Sequence, residues 1–121
     1  MSKWANDSVL DSLLDAVAAG TILTVCSAQP TNRTEAVTTY KLADVVIDGT
    51  DFSKANGDTS GRKVTIAQQA DVPIDSDGTA THVAICDGTN LLYVTTCTSQ
   101  VLTSGNTVTV PAWKIEVSDP S

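Results

Sequence analysis

The chain has 121 residues and a formal net charge of −7 at neutral pH, with 14 acidic against 7 basic side chains. That balance excludes a nucleic-acid binder, which needs a basic patch against phosphate, and a protein held to anionic lipid by charge. Aromatic residues make up only 4% of the chain, so the core has to be built from Val, Ile, Leu and Ala. No apolar run reaches the length of a membrane span, and a single domain is expected, large enough to fold without metal or disulfide staples.

In chain order, the first predicted element is a helix. Val9, Leu10, Leu13, Leu14 and Val17 recur at helical period and predict one apolar stripe within a helix over about residues 5–19, with Asp7, Asp11 and Asp15 on another face. Asn6, Asp7 or Ser8 is placed to cap it, Ser8 with Asp11 having capping-box spacing, and Gly20 to stop it in the left-handed conformation. A β domain over about residues 21–117 follows, rich in Thr, which suits a pleated, half-exposed surface. Strands are predicted at Thr21–Ser27, Val37–Asp48 and Arg62–Gln68, the last with Val64 and Ile66 inward; Ala28–Asn32, Asp51–Gly61 and Asp71–Gly78 read as loops.

The clearest hairpin comes next: Thr81–Cys86 and Leu91–Thr96 flank Asp87–Asn90, with Val83 and Ile85 sharing a face with Leu92 and Val94. Ser104–Asn106 marks a further turn. Thr107–Val110 and Trp113–Val117 are the last strands, with Pro111 as a bend between them and a short tail beyond. About seven or eight short strands after one helix predict a mainly β fold, a β-sandwich or a barrel.

Residues that carry chemistry are few. His82 is the one histidine, it lies mid-strand, and no Gly-x-Ser-x-Gly elbow accompanies it, so no triad is predicted. Asp71, Asp75 and Asp77 are the best metal candidates. Asp75 opens a run like a calcium loop, but Ala80 stands where that loop needs Gly and Cys86 where it needs a bidentate Glu. Gly57–Lys63 is one residue short of a phosphate loop and no helix is predicted after it. Cys26, Cys86 and Cys97 lack metal-ligand spacing and read as small buried thiols of a reducing compartment. Trp113 reads as core; Trp4 is placed either to pack on its own domain or to enter a partner. Neither catalysis nor a cofactor is expected, and no secretory leader is read at Met1–Asp7.

Two segments resemble small structural proteins of tailed bacteriophages. One is Lys3-Trp4-Ala5-Asn6-Asp7 running through Asp11, followed by a short helix and a strand ending Ser27-Ala28-Gln29-Pro30; the other is Leu102 to Pro111. The resemblance is to head cement or decoration proteins. It implies a jelly-roll-like sandwich, the major capsid protein as partner, a homodimer or homotrimer on the outside of the virion, and synthesis in the host cytoplasm. It carries no catalytic residues. The candidate partner contacts are Met1, Ser2, Lys3 and Trp4, as an arm that orders on binding.

Overall fold

A computed structural model describes residues 7–58 and 61–117. Helix α1 (Asp7–Ala18) is followed by nine strands: β1 (Ile22–Cys26), β2 (Lys41–Val46), β3 (Phe52–Asn56), β4 (Arg62–Ile66), β5 (Gln69–Pro73), β6 (Gly78–Cys86), β7 (Leu91–Leu102), β8 (Thr107–Val110) and β9 (Trp113–Val117). All pairings are antiparallel. The strands form a four-stranded sheet in the order β2-β1-β6-β7, a three-stranded sheet β3-β4-β9 and a two-stranded sheet β5-β8. A single bridge, Ala43 to Ile74, joins the four-stranded sheet to the end of β5. The fold is mainly β, as expected, with one more strand than the upper count. The sheets do not close into a ring.

Helix α1 packs on the three-stranded sheet and also touches β7. Leu10 and Leu14 are buried and Val17 packs on the core, whereas Val9, expected in the stripe, is 58% exposed. The acidic face is used as well. Asp11 Oδ1 accepts from Arg62 Nε at 2.8 Å, and Asp15 pairs with Lys54, so two carboxylates one turn apart hold the helix to β3 and β4. Because the helix already includes Asp7 and Ser8, Ser8 is not the cap and Asp11 is not a capping-box partner.

Gly20 ends the helix for a different reason from the one expected. Its φ is not positive; the left-handed glycines are Gly61 and Gly105. A Cβ at Gly20 would lie 2.4 Å from Ile85 Cγ2 and 3.1 Å from the Val17 carbonyl oxygen. The chain therefore needs glycine where it passes against the C-terminal end of β6.

Three loop or strand expectations change. Val37–Asp48 is not one strand: Glu35–Thr39 forms a short π-helical segment before β2. The Glu35 carboxylate accepts from the Thr31 amide and hydroxyl, while Asn32 Oδ1 accepts from the Glu35 amide, and these local bonds coil the segment. Part of the Asp51–Gly61 loop is β3, an edge strand whose residues after Phe52 are all exposed, so no alternation betrays it. Part of the Asp71–Gly78 loop is β5, where Asp71 takes φ +55° at a bulge and breaks the period.

The predicted hairpin forms, with Cys86 opposite Leu91. A bulge at Leu92 then shifts the register, so Ile85 faces Tyr93 and Ala84 faces Val94. Leu92 and Tyr93 join Val83 and Ile85 in the main core, and Val94 instead joins Ala84 and Cys86 on the opposite face. Val64 and Ile66 are fully buried, as predicted.

Replacing Gly20 with Ala should destabilise the fold by about 1–3 kcal/mol, the usual cost of overpacking a filled core. Chemical denaturation of Gly20→Ala against the parent reads this directly, and Ile85→Leu, which removes the Cγ2 branch that the new methyl meets, should cost less in the Gly20→Ala background than in the parent.

Candidate functional site

The residues nominated from sequence are not gathered into one place. Met1, Ser2, Lys3 and Trp4 lie outside the described residues, so the question of whether Trp4 packs on its own domain falls outside them too. Asp71 sits in the bulge of β5. Asp77 accepts the Ser104 amide at 2.6 Å and ties the start of β6 to the β7–β8 turn. Asp75 turns the other way and meets Lys41 at 3.2 Å. Among the described residues no group of three or more His, Cys, Asp or Glu side chains is arranged to hold a metal ion. Gly57–Lys63 spans the β3–β4 connection, with a strand after it rather than a helix.

His82 is half-buried in β6, its Nδ1 2.8 Å from the Thr81 hydroxyl. The sheet places it opposite Cys26 of β1, one juxtaposition of a base with a nucleophile that the sequence did not foretell. The chemistry runs against activation there. Burial pushes the Cys26 thiol up, outweighing its hydrogen bond with Thr24, whereas a nucleophilic cysteine needs its thiolate stabilised. Cys26 is also fully buried, and its sulfur lies 3.6 Å from the Ala36 carbonyl oxygen. All three cysteines are free thiols; Cys26 and Cys86 are buried as expected, and Cys97 is only half-buried.

One carboxylate pair is electrostatically coupled. Lys41 Nζ stands between Asp44, at 3.3 Å, and Asp75. Burial, then the hydrogen bond with Asp75, raises the Asp44 carboxyl above its ordinary value; that same hydrogen bond, then Lys41, lowers Asp75. Asp44 therefore takes up a proton more readily than an ordinary aspartate, and Asp75 less readily. The pair joins the β2 edge to the β5–β6 loop and has no nucleophile beside it in the structure.

The surface is more informative. All six basic side chains among the described residues are engaged inside the molecule. Arg33 donates to the Asp87 carbonyl at 2.7 Å; Lys41, Lys54, Arg62, Lys63 and Lys114 all pair with aspartates. Asp48, Asp51 and Asp77 form no ion pair among the described residues, in keeping with the net charge of −7. One region is different. From Gly88 through Trp113 the chain contains no Asp, Glu, Lys or Arg. That run is β7, the turn after it, β8 and the start of β9, and it was legible in the sequence as a gap in the charge.

β7 and β8 are consecutive strands joined by a short turn, yet they do not pair with each other: β7 bonds to β6 and β8 to β5. A groove of two adjoining hollows, about 220 and 340 Å³, shares Val83, Cys97, Thr98, Val110 and Pro111 in its linings; Val25 of β1 lines the smaller hollow and Lys114 of β9 the larger, so it lies over the face of the four-stranded sheet beside β8. β7 is loosened where it borders this groove. A second bulge, at Cys97–Ser99, separates the pairs Ala80–Gln100 and His82–Thr96. Trp113 lines the larger hollow, with its ring centroid 5.9 Å from that of Tyr93; its indole N–H is buried with no hydrogen-bond partner among the described residues.

No protein-family model, curated protein or solved structure matches this chain.

The Asp44–Asp75 pair gives a pH dependence whose sign follows from the two displacements. Asp44 titrates above its ordinary value of 3.8, so its charged form is disfavoured in the fold; that penalty is complete above the folded value and is relieved as pH falls through it. Asp75 acts oppositely, with stability present above 3.8 and lost as pH falls. Asp44→Asn should therefore melt at or above the parent temperature at neutral pH, and its advantage should shrink on acidification. Melting curves across that range check this; an advantage that grows as pH falls contradicts it.

Proposed function

We propose that this chain is a non-enzymatic structural protein of a virus particle: a cement or decoration protein that binds the major capsid protein on the outside of a tailed-phage head, as a homo-oligomer, and stabilises the shell. The observation that carries the binding part of this reading is the edge of β7, a long strand without a charged residue that pairs on one side only among the described residues, in a molecule of net charge −7. A long strand edge without charge is a liability unless something pairs with it or covers it. The particular partner comes from the resemblance of residues 3–11, 27–30 and 102–111 to phage head proteins. Several weak contacts made at once by an oligomer would hold the shell through effective concentration, without a single tight site.

The mechanism is mechanical. Attachment across neighbouring capsid subunits favours the assembled state over the dissociated one by linkage, since the protein binds the former. It needs no proton transfer, cofactor or bond cleavage.

Purified protein mixed with empty expanded shells should co-sediment with them to saturation and raise their melting temperature, and should leave mature tails unbound. Saturable binding to tails alone would assign the chain to the tail or neck. Selective binding on a glycan array would assign it to host-surface recognition. Either result overturns the cement reading.

A further inference from the structure

We infer that Asn56 and Gly57, where β3 ends, form a self-modification site: the Gly57 amide nitrogen attacks the Asn56 side chain, ammonia leaves, and water opens the resulting imide to aspartate or isoaspartate. This chemistry needs no partner and stands apart from what the chain binds.

The chain has five asparagines, followed in turn by Asp7, Arg33, Gly57, Leu91 and Thr107. A backbone nitrogen that attacks the preceding side chain is hindered by the side chain on its own residue, and only glycine has none. Asparagine is also among the residue types that proteins lose to heat. Asn56 is exposed, so water and hydroxide reach it.

Aspartates before glycine form the same imide by loss of water, and the fold guards each of the three. Asp48 Oδ1 accepts from the Thr50 amide and hydroxyl, Asp77 Oδ1 from the Ser104 amide, and Asp87 Oδ1 from the amides of Thr89 and Asn90. The Thr50 hydroxyl holds Asp48, and the Asn90 amide Asp87, below the ordinary carboxylate value. An ionised carboxylate has no leaving group, so these positions resist the reaction that an amide undergoes.

Asn56 is held in another way. It faces Arg62 in the last pair of the β3–β4 ladder. Its Oδ1 accepts from Arg62 Nη1 at 2.8 Å, and the Gly57 amide donates to the Gly61 carbonyl at 2.9 Å. The attacking nitrogen and the carbonyl it must reach are therefore each bonded elsewhere. Conversion requires the end of the hairpin to open, a local event at an exposed strand end. In the open form a base takes the Gly57 amide proton, the nitrogen bonds to Asn56 Cγ, and the Cγ–Nδ2 bond breaks as ammonia departs with a proton from water. Water then adds to one of the imide carbonyls. Cleavage at Cγ restores the main chain and leaves aspartate; cleavage at the Asn56 carbonyl carbon routes the main chain through Cβ and Cγ and leaves isoaspartate. An amide and water become a carboxylate and ammonia, with no change of oxidation state.

The two products act differently on the fold. Aspartate keeps the main chain and offers Arg62 a charged acceptor. Isoaspartate lengthens the main chain, so the contacts to Arg62 and Gly61 are not both kept. The anchors of helix α1 lie alongside, with Lys54 of β3 on Asp15 and Arg62 on Asp11. Isoaspartate alone thus loosens the hold of the sheet on the helix.

The test ages the full chain in warm, mildly alkaline buffer and follows ammonia release, peptide mass maps and labelling by an isoaspartyl methyltransferase. Conversion should centre on Asn56, give both products and quicken as pH rises. Gly57→Ala, at a backbone position that is not left-handed, should slow it by roughly tenfold, or about 1.4 kcal/mol on the barrier. Arg62→Lys, which gives up the two-armed hold on Asn56 and Asp11, should speed it toward the rate of the urea-unfolded chain. Asn56→Asp should melt with the parent, and aged protein enriched in isoaspartate should melt lower. An unconverted Asn56 in the folded chain after the unfolded chain has converted would overturn the site, as would equal conversion at the other asparagines. Slower conversion in Arg62→Lys would overturn the gating by Arg62, and identical melting of the isoaspartate form and Asn56→Asp would overturn the loosening of the helix.

Discussion

Burial of β1 and β6 on both faces is the constraint around which the molecule is arranged. Leu23 and Val25 point into the main core, and Thr24 and Cys26, one residue apart from them, are also buried; Val83 and Ile85 on β6 alternate with Ala84 and Cys86 in the same way. A strand buried on both sides has no solvent face, so something must cover each side. The inner side takes β4, β5, β8 and Leu14 of the helix. The outer side takes the Glu35–Thr39 segment, whose fully buried Ala36 sits with Ala84 and Cys86. Small residues on that outer side explain how a backbone segment approaches so closely, while on the inner side Gly20 leaves room for Ile85.

That arrangement leaves the edges of the four-stranded sheet to β2 and β7, and the two are treated differently. β2 is bridged to β5 and carries Lys41 and Asp44, charged residues of the kind that protect a sheet edge. β7 is long, uncharged and twice bulged, and its own successor β8 does not pair with it. The anionic surface elsewhere supports solubility and also limits which partners can approach. Fold and proposed function thus meet at one edge. The strand left unpaired by the double burial of its neighbours is the part best suited to another chain.

Much of this was legible in the sequence, and where it was not, local chemistry explains why. Val64 and Ile66 alternate with polar residues, and the Asp87–Asn90 turn sits between two apolar runs, so β4 and the β6–β7 hairpin could be read directly. β3 could not, because Ser53, Lys54, Ala55 and Asn56 are all exposed and an edge strand held by backbone bonds needs no apolar face. The bulge at Leu92 moved Val94 across the sheet, since a one-residue slip in register reverses every side chain beyond it. The thiol–imidazole juxtaposition of Cys26 and His82 depends on β1–β6 pairing between distant segments. For the groove, composition held half the information: the charge-free stretch from Gly88 to Trp113 was visible, but the failure of β7 and β8 to pair was not.

Native-state amide hydrogen exchange tests the account most directly. It predicts the slowest exchange in β1 and β6, and along β7 an alternation in which amides directed at β6 are protected while those directed away from it exchange at rates close to those of exposed loops. Uniform protection along β7 at low protein concentration, or fast exchange in β1, would contradict it.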